Sequence, residues 1–159
     1  MFNPKFRVLI TSNCFPEDKF ICLGYQLISI VNSIKFFLPS HIWYGADVEA
    51  VGKGAMKHQL NDIHLNVIGA DLQFIEYCSS IEQFIWGEFL CIDSNYSAQN
   101  IHGLELETED EPFRSIPCAG IIIEIRTFDT SYFEIYSECM VLIKKIAELY
   151  DVKIEEIKS

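Results

Sequence analysis

The sequence predicts an α+β fold with a mixed, mainly antiparallel sheet and about three helices packed largely on one face. The first observation is size and composition: 159 residues, half of them apolar, suit a single domain, 1–159, with a substantial core. The second is that several segments alternate apolar and polar residues, as half-buried strands do. The third is the order of the predicted elements, strand, helix, strand, strand, helix, strand, hairpin and helix, which lacks the regular alternation of a doubly wound sheet.

The N-terminal part of the chain predicts a short strand at residues 6–12, followed by a helix. This helix is expected to begin at Pro16, because proline and the acids that follow it are favoured in a first helical turn. It is expected to run to about Phe37, because Pro39 stops it.

Residues 20–38 are long and apolar enough to raise the question of a membrane span. Polar side chains recur through this segment at spacings of three and four, Gln26, Ser29 and Ser33 among them, so they form one stripe on a helix. The pattern therefore predicts an amphipathic helix with a wide buried face, and no membrane partner.

Residues 41–50 predict a half-buried strand, because apolar and polar side chains alternate along them. Ile42 and Tyr44 fall on the apolar face. Trp43, Asp47 and Glu49 fall on the more polar face, where a partner could reach them.

The middle of the chain predicts a strand at residues 62–68, a helix from about 71 to 82, and a strand at 84–92. The last of these is apolar on both faces, so we expect it at the centre of the sheet. Residues 94–117 are irregular and acidic, and predict a long loop within the domain. Loops of this length are uncommon in compact domains and are often functional.

The clearest supersecondary unit is a β-hairpin within residues 120–137. A three-residue turn places Ile125 opposite Ile135 and Arg126 opposite Glu134, whereas a two-residue turn mixes the two faces. Cross-strand pairs contribute about 0.2–1 kcal/mol each, so the three-residue turn is favoured. A helix over residues 138–150 follows, and residues 151–157 predict either a closing strand or a frayed tail.

The charge of the chain is concentrated in its middle third. There are 12 Lys and Arg residues against 23 Asp and Glu, a net charge of −11. Residues 58–113 contain eleven acids and no Lys or Arg, so this stretch accounts for the whole net charge. The excess of acids argues against a nucleic-acid partner. It favours either simple solubility or a negative surface that steers a basic partner.

No motif for catalysis, a cofactor or a metal stands out. The six cysteines and four histidines have no metal-ligand spacing, and the sequence lacks the G-x-S-x-G, S-x-x-K and H-E-x-x-H patterns. We therefore expect no catalytic residue, no metal and no cofactor. Most of the cysteines lie in apolar surroundings and no signal peptide is recognised, which predicts a cytoplasmic protein.

Two groups of residues are the candidates for binding. Acids that would steer a partner lie in the predicted strand and in the long loop: Asp47, Glu49, Glu105, Glu107, Glu109, Asp110 and Glu111. Aromatic side chains that would anchor the partner accompany acids on two strands: Trp43, Tyr132 and Tyr136. Aromatic anchors surrounded by steering charges are typical of protein interfaces.

The leading hypothesis is a non-enzymatic protein that neutralises or regulates a basic protein partner, as an immunity protein or an antitoxin does. The alternative is a small enzyme or ligand-binding domain with a pocket between helices and sheet, where His64 or His102 would meet an acid. A structural homodimer that uses the hairpin or residues 20–38 as its interface is a third hypothesis.

Overall fold

The computed structural model describes residues 1–53, 60–96, 101 and 103–158. These residues form seven strands and three α-helices, so the α+β class is confirmed. In chain order they are β1 (Phe6–Thr11), α1 (Gly24–Ile34), β2 (His41–Val51), β3 (Asn66–Gly69), α2 (Asp71–Ser79), β4 (Gln83–Asp93), β5 (Ile121–Phe128), β6 (Tyr132–Ser137), α3 (Met140–Tyr150) and β7 (Ile154–Glu156). Short 3₁₀ turns, Ser12–Cys14 and Lys35–Phe37, follow β1 and α1.

All seven strands belong to one sheet, in the order β3-β2-β4-β5-β6-β1-β7. Every pairing is antiparallel. The apolar strand β4 lies between β2 and β5, which confirms its central position. The C-terminal strand β7 pairs with β1, so the closing-strand interpretation is the correct one of the two.

Two groups of buried apolar side chains pack on opposite faces of the sheet. The first core contains residues from all three α-helices, such as Leu27, together with Phe89 and Ile125 of the sheet. The second core contains Leu90 and residues of the long loop, such as Leu106, and no residue of the three helices. Successive residues of a strand point to opposite faces, so Phe89 and Leu90 belong to different cores. Packing of every helix on one face stays a prediction.

The hairpin between β5 and β6 has the predicted register. Ile125 pairs with Ile135, and Arg126 pairs with Glu134. The three-residue turn contains Asp129 and Thr130 in the left-handed region, with φ of 45° and 53°. Pairing apolar residues with apolar residues, and charged residues with charged residues, across the two strands therefore predicted the correct register.

Helix α1 begins eight residues later than Pro16, where the sequence places the start. Cys22 has a φ of 64°, which a right-handed α-helix does not accommodate, and Leu23 is the N-cap. The Leu23 N–H donates to the side-chain oxygen of Gln26 at 2.9 Å, so Gln26 caps the first turn of the helix. The Gln26 side chain is buried. In the part of the chain that the structure describes, no helix is long and apolar enough to cross a membrane.

Strand β2 does not keep the uninterrupted alternation that the sequence predicts. Ala46 pairs with Glu88 and Glu49 pairs with Trp86, so β2 contains one residue more than β4 over this interval. Asp47 occupies this bulge with a φ of 50°. Because the bulge reverses the alternation, Trp43 and Glu49 lie on opposite faces of the sheet and not on one face.

Candidate functional site

Four of the predicted acids line one surface cleft of about 290 Å³. Its walls are Asp47, Glu49, Ile63, Trp86, Glu107 and Glu109. We call these residues the acidic cleft. Two of its carboxylates come from the bulged part of β2, and two come from the long loop. The structure therefore brings together acids that lie sixty residues apart in the sequence.

The loop side of the acidic cleft is an extended segment laid along the second core. We call residues 104–118 the strap. Buried and exposed side chains alternate along residues 104–109. Leu104, Leu106 and Thr108 are buried, and the three glutamates that follow them in turn, Glu105, Glu107 and Glu109, are exposed. This alternation is visible in the sequence and is the signal that would have predicted an extended segment with one buried face.

Backbone hydrogen bonds fix the strap beside residues 60–65. The Leu106 N–H donates to the Ile63 carbonyl at 2.7 Å, and the Leu65 N–H donates to the Leu104 carbonyl at 3.1 Å. The Thr108 N–H donates to the Asp47 carboxylate at 2.8 Å. Asp47 therefore has two roles: it lines the acidic cleft and it attaches the strap to the sheet.

Trp86 is the aromatic residue of the acidic cleft, and it is not among the anchors predicted from the sequence. It belongs to a row of half-buried rings that crosses three strands. The ring of Trp86 meets Phe128 edge to face at 5.3 Å, and Phe128 stacks on Tyr132 at 5.4 Å. Because strand 84–92 was interpreted as buried on both faces, nothing in its pattern distinguished Trp86 from the core residues around it.

Of the three predicted anchors, two are buried. Trp43 is fully buried in the first core, where it stacks on Phe74 at 4.3 Å and its indole N–H donates to Asp71 at 2.8 Å. Tyr136 is fully buried in the second core, and its hydroxyl donates to Glu134. This burial removes both residues from the anchors, because Trp43 lies on the face of β2 that packs in the first core and Phe113 of the strap packs on Tyr136. Tyr132, half-buried at the end of the aromatic row, keeps an exposed edge.

The remaining predicted acids have partners outside the acidic cleft. The Glu105 carboxylate lies 3.2 Å from His64. Asp110 forms a close ion pair with Arg114. The side chain of Glu111 is exposed, and its carbonyl accepts a long hydrogen bond of 3.5 Å from Arg126. Of these contacts, the ion pair with Arg114 offsets the charge of Asp110.

An enclosed network of ion pairs lies beneath the strap. Arg126 on β5 lies opposite Glu88 on one neighbouring strand and Glu134 on the other. Its guanidinium is 3.3 Å from Glu88, 3.2 Å from Glu124 and 3.7 Å from Glu134. Arg114 of the strap reaches the same acids, at 3.1 Å from Glu88 and 3.3 Å from Glu124. Glu88 and Glu124 therefore share the same two arginines, whereas Glu134 lies between Arg126 and Arg7.

The same two arginines hold the acidic part of the strap. Arg114 donates to the Glu107 carbonyl at 2.9 Å, and Arg126 donates to the Asp110 carbonyl at 3.0 Å. The positions of Glu107 and Glu109 in the acidic cleft thus depend on the network beneath them. Sequence alone could not reveal this, since the contacts join segments that are distant along the chain.

Glu88 is the most deeply buried member of the network. Burial raises the pKa of Glu88 well above that of an exposed glutamate, and the nearby Glu124 carboxylate raises it further. The charges of Arg114 and Arg126 offset only part of this effect.

Two histidines can be located, and each contacts acids. His64 lies between Asp62, at 2.7 Å, and Glu105, but its side chain is 52% exposed and lies on the surface, not between helices and sheet. His41 lies 2.7 Å from Asp71. His58 and His102 lie outside the described residues. In the described ranges no three His, Cys, Asp or Glu side chains are grouped so that they could hold a metal ion.

Comparison with protein-family models, with curated proteins and with solved structures finds no match to this chain.

Proposed function

We propose that this chain is a non-enzymatic binding protein whose acidic cleft takes a cationic side chain of a basic protein partner. The observation that carries the proposal is the convergence of Asp47, Glu49, Glu107 and Glu109 around Trp86 in one cleft. Charge complementarity of this kind accelerates association and selects the partner. The role fits the neutralisation of a basic toxin by an immunity protein or antitoxin in the cytoplasm.

The carboxylates of the acidic cleft are available for a ligand. None of the four forms an ion pair with a Lys or Arg among the described residues, whereas Asp110 of the same strap is paired with Arg114. Their mutual repulsion is relieved when a cation enters between them. An arginine is the better occupant, because its planar group hydrogen-bonds carboxylates in pairs and stacks on aromatic rings.

Trp86 gives the site its apolar component. A cation over an indole ring is attracted by about 0.5–2 kcal/mol, more when water is excluded. Phe128 and Tyr132 extend the aromatic surface away from the acidic cleft. A partner that inserts one arginine would therefore also cover a row of half-buried rings, and large rings of this type supply most interface hot spots.

The test is binding of a fluorescein-labelled nine-arginine peptide, followed by fluorescence anisotropy at low salt. The double variant Glu107→Gln/Glu109→Gln removes two charges from the acidic cleft. The matched control, Glu76→Gln/Glu148→Gln, removes two charges from exposed positions on α2 and α3. We expect the first to weaken binding by about tenfold or more, and the second by less than about threefold, because distant surface charges are screened.

Equal losses in the two double variants would contradict the proposal, because they would show that only net charge matters. The toxin-neutralising role has a separate test. If the gene adjacent to this one encodes a strongly basic protein, the two products should co-purify. Glu107→Gln/Glu109→Gln should abolish the co-purification, whereas the matched control should retain it.

A further inference from the structure

The half-buried rings of Trp86, Phe128 and Tyr132, which we call the aromatic row, continue the acidic cleft across the sheet. Glu49 on β2 lies directly opposite Trp86 on β4. Trp86 in turn lies opposite Phe128 on β5, and Phe128 lies opposite Tyr132 on β6. Thr11 on β1 is the last member, opposite Tyr132. One line of side chains therefore crosses five neighbouring strands, with the carboxylates at its β2 end and the rings along its middle.

The aromatic row is exposed where the strap no longer covers the sheet. The neighbouring line of cross-strand pairs, Glu88, Arg126 and Glu134, lies beneath the strap, and none of the three is more than 4% exposed. The three rings of the aromatic row belong to the same strands, yet each is only half-buried. Contiguous aromatic side chains with exposed surface mark interaction sites more often than scattered ones do.

The rings of the aromatic row are spaced at the pitch of an α-helix. The ring centroids of Trp86 and Phe128 are 5.3 Å apart, and those of Phe128 and Tyr132 are 5.4 Å apart. One helical turn rises about 5.4 Å, so a helix that lies across the strands presents one side chain to each ring, at positions i, i+4 and i+7. An extended segment in the same direction places side chains of one face about 6.8 Å apart, and would be out of step by the third ring.

The backbone of the occupant also favours a helix. Strands β4, β5 and β6 are paired on both sides, so their backbone groups are already used within the sheet. An extended segment laid over the aromatic row would bury its own N–H and C=O groups against rings without partners, which is costly. A helix pairs these groups internally and buries only side chains.

We propose that an amphipathic helix of the basic partner lies across the aromatic row, with an arginine in the acidic cleft and apolar side chains four and seven residues further along on Phe128 and Tyr132. The arginine contact rests on the proposed function, whereas the contacts with the two rings do not. Charge complementarity sets the order of the contacts, because the four carboxylates lie at the β2 end of the row. Helices that dock in grooves use anchors at this spacing.

Two synthetic helical peptides test the spacing. Each contains one arginine and two leucines among alanine and glutamine residues, and the same hydrocarbon staple keeps both helical. In the matched peptide the leucines follow the arginine by four and seven residues, on its own face of the helix. In the displaced peptide they follow it by two and six residues, on the opposite face. NMR titration of the wild-type protein should give a Kd about tenfold or more lower for the matched peptide.

Variants of the protein separate the ring contacts from the charge contacts. Tyr132→Ala removes the ring farthest from the acidic cleft, so the preference for the matched peptide should fall to about threefold or less. Phe36→Ala is the control, because it removes an 85% exposed ring from the turn after α1, and it should retain the full preference. Glu107→Gln/Glu109→Gln should weaken both peptides by a similar factor and retain the preference, since both peptides carry the arginine.

Equal affinity of the wild-type protein for the two peptides would overturn the helix, and this comparison needs no variant that has to fold. Tighter binding of an unstapled peptide with alternating arginine and leucine would overturn it in favour of an extended segment. Self-association of the chain that displaces the matched peptide would overturn it in favour of a second copy.

Failure of the acidic cleft has a different signature. If Glu107→Gln/Glu109→Gln left the binding of both peptides unchanged while the matched peptide kept its preference, the arginine site would be wrong and the ring contacts would stand. If the two peptides bound equally but both were weakened by this double variant, the acidic cleft would stand and the helix would be wrong.

Discussion

The carboxylate of Asp47 accepts a hydrogen bond of 2.8 Å from the backbone N–H of Thr108. This single contact joins the bulge of β2 to the strap, and so joins the two halves of the acidic cleft. Asp47 adopts a φ of 50°, a conformation that aspartate and asparagine tolerate better than most residues. The same residue therefore sets the local backbone and holds the distant segment.

Replacement of Asp47 by alanine should destabilise the protein by about 2 kcal/mol. The variant leaves the partly buried Thr108 N–H without an acceptor and places a less tolerant residue at positive φ. Asp47→Asn keeps an acceptor oxygen and the backbone preference, so it should lose about 1 kcal/mol or less. Urea denaturation measures both values. Equal losses in the two variants would show that the hydrogen bond to Thr108 is unimportant.

Replacement of the two tryptophans by alanine should affect different properties, stability for Trp43 and peptide binding for Trp86. Trp43→Ala should lower the free energy of unfolding by about 3–5 kcal/mol, because it removes a fully buried ring that stacks on Phe74. Trp86→Ala should have a smaller effect on stability, since the ring is half-buried, but should weaken arginine-peptide binding. Urea denaturation and anisotropy separate the two effects. A stable Trp43→Ala protein with impaired binding would restore Trp43 as an anchor.

Arg126→Met should destabilise the protein by about 3–5 kcal/mol, because it leaves buried carboxylates without their shared cation. Arg126→Lys retains the charge but loses the hydrogen bond to Asp110, so its loss should be smaller. Thermal or urea unfolding provides the comparison. If Arg126→Met lost less than about 1 kcal/mol, Arg126 would not be the cation that stabilises the buried carboxylates.

The pKa of His64 should fall when Asp62 is replaced by asparagine. A hydrogen bond to Asp62 raises the pKa of His64 above its ordinary value of 6.5, and Glu105 contributes less. The favourable pairing is thus fully present below pH 6.5 and is lost as pH rises through the raised pKa. NMR titration of the imidazole in Asp62→Asn and Glu105→Gln tests this order. A larger fall in Glu105→Gln would reverse it.

Local patterns predicted those parts of the fold in which each strand face is chemically uniform. The β5–β6 register followed from pairing Ile125 with Ile135, because the alternative mixed apolar and charged faces. The central strand β4 followed from its apolar residues on both sides. In both cases the neighbouring residues carried enough information to define the structure.

The same approach failed where one backbone angle changes the pattern. The bulge at Asp47 puts the residues after it on the opposite face of the sheet from the one that strict alternation predicts. The sequence of β2 nevertheless alternates without a break. Helix α1 begins after Cys22, whose positive φ overrides the favourable start at Pro16. The apolar and polar pattern of the sequence does not indicate the positive φ of Cys22 or of Asp47.

The candidate site was predicted in part. Its four acids were among the seven named from the sequence, because charge density is a local property. Trp86 and the attachment of the strap were missed, because they depend on contacts such as Asp47 with Thr108, which lie 61 residues apart. Contacts at that distance are decided by the assembled sheet and not by the neighbouring sequence.

The most direct test of the acidic cleft is an NMR titration of the wild-type protein with the nine-arginine peptide, observed at the indole N–H signals. The chain contains two tryptophans, so the spectrum has its own control. The Trp86 indole lines the acidic cleft, whereas the Trp43 indole is buried and donates to Asp71. We predict that the Trp86 signal shifts to saturation while the Trp43 signal stays in place. A Trp86 signal that does not move at saturating peptide would contradict the proposed binding site.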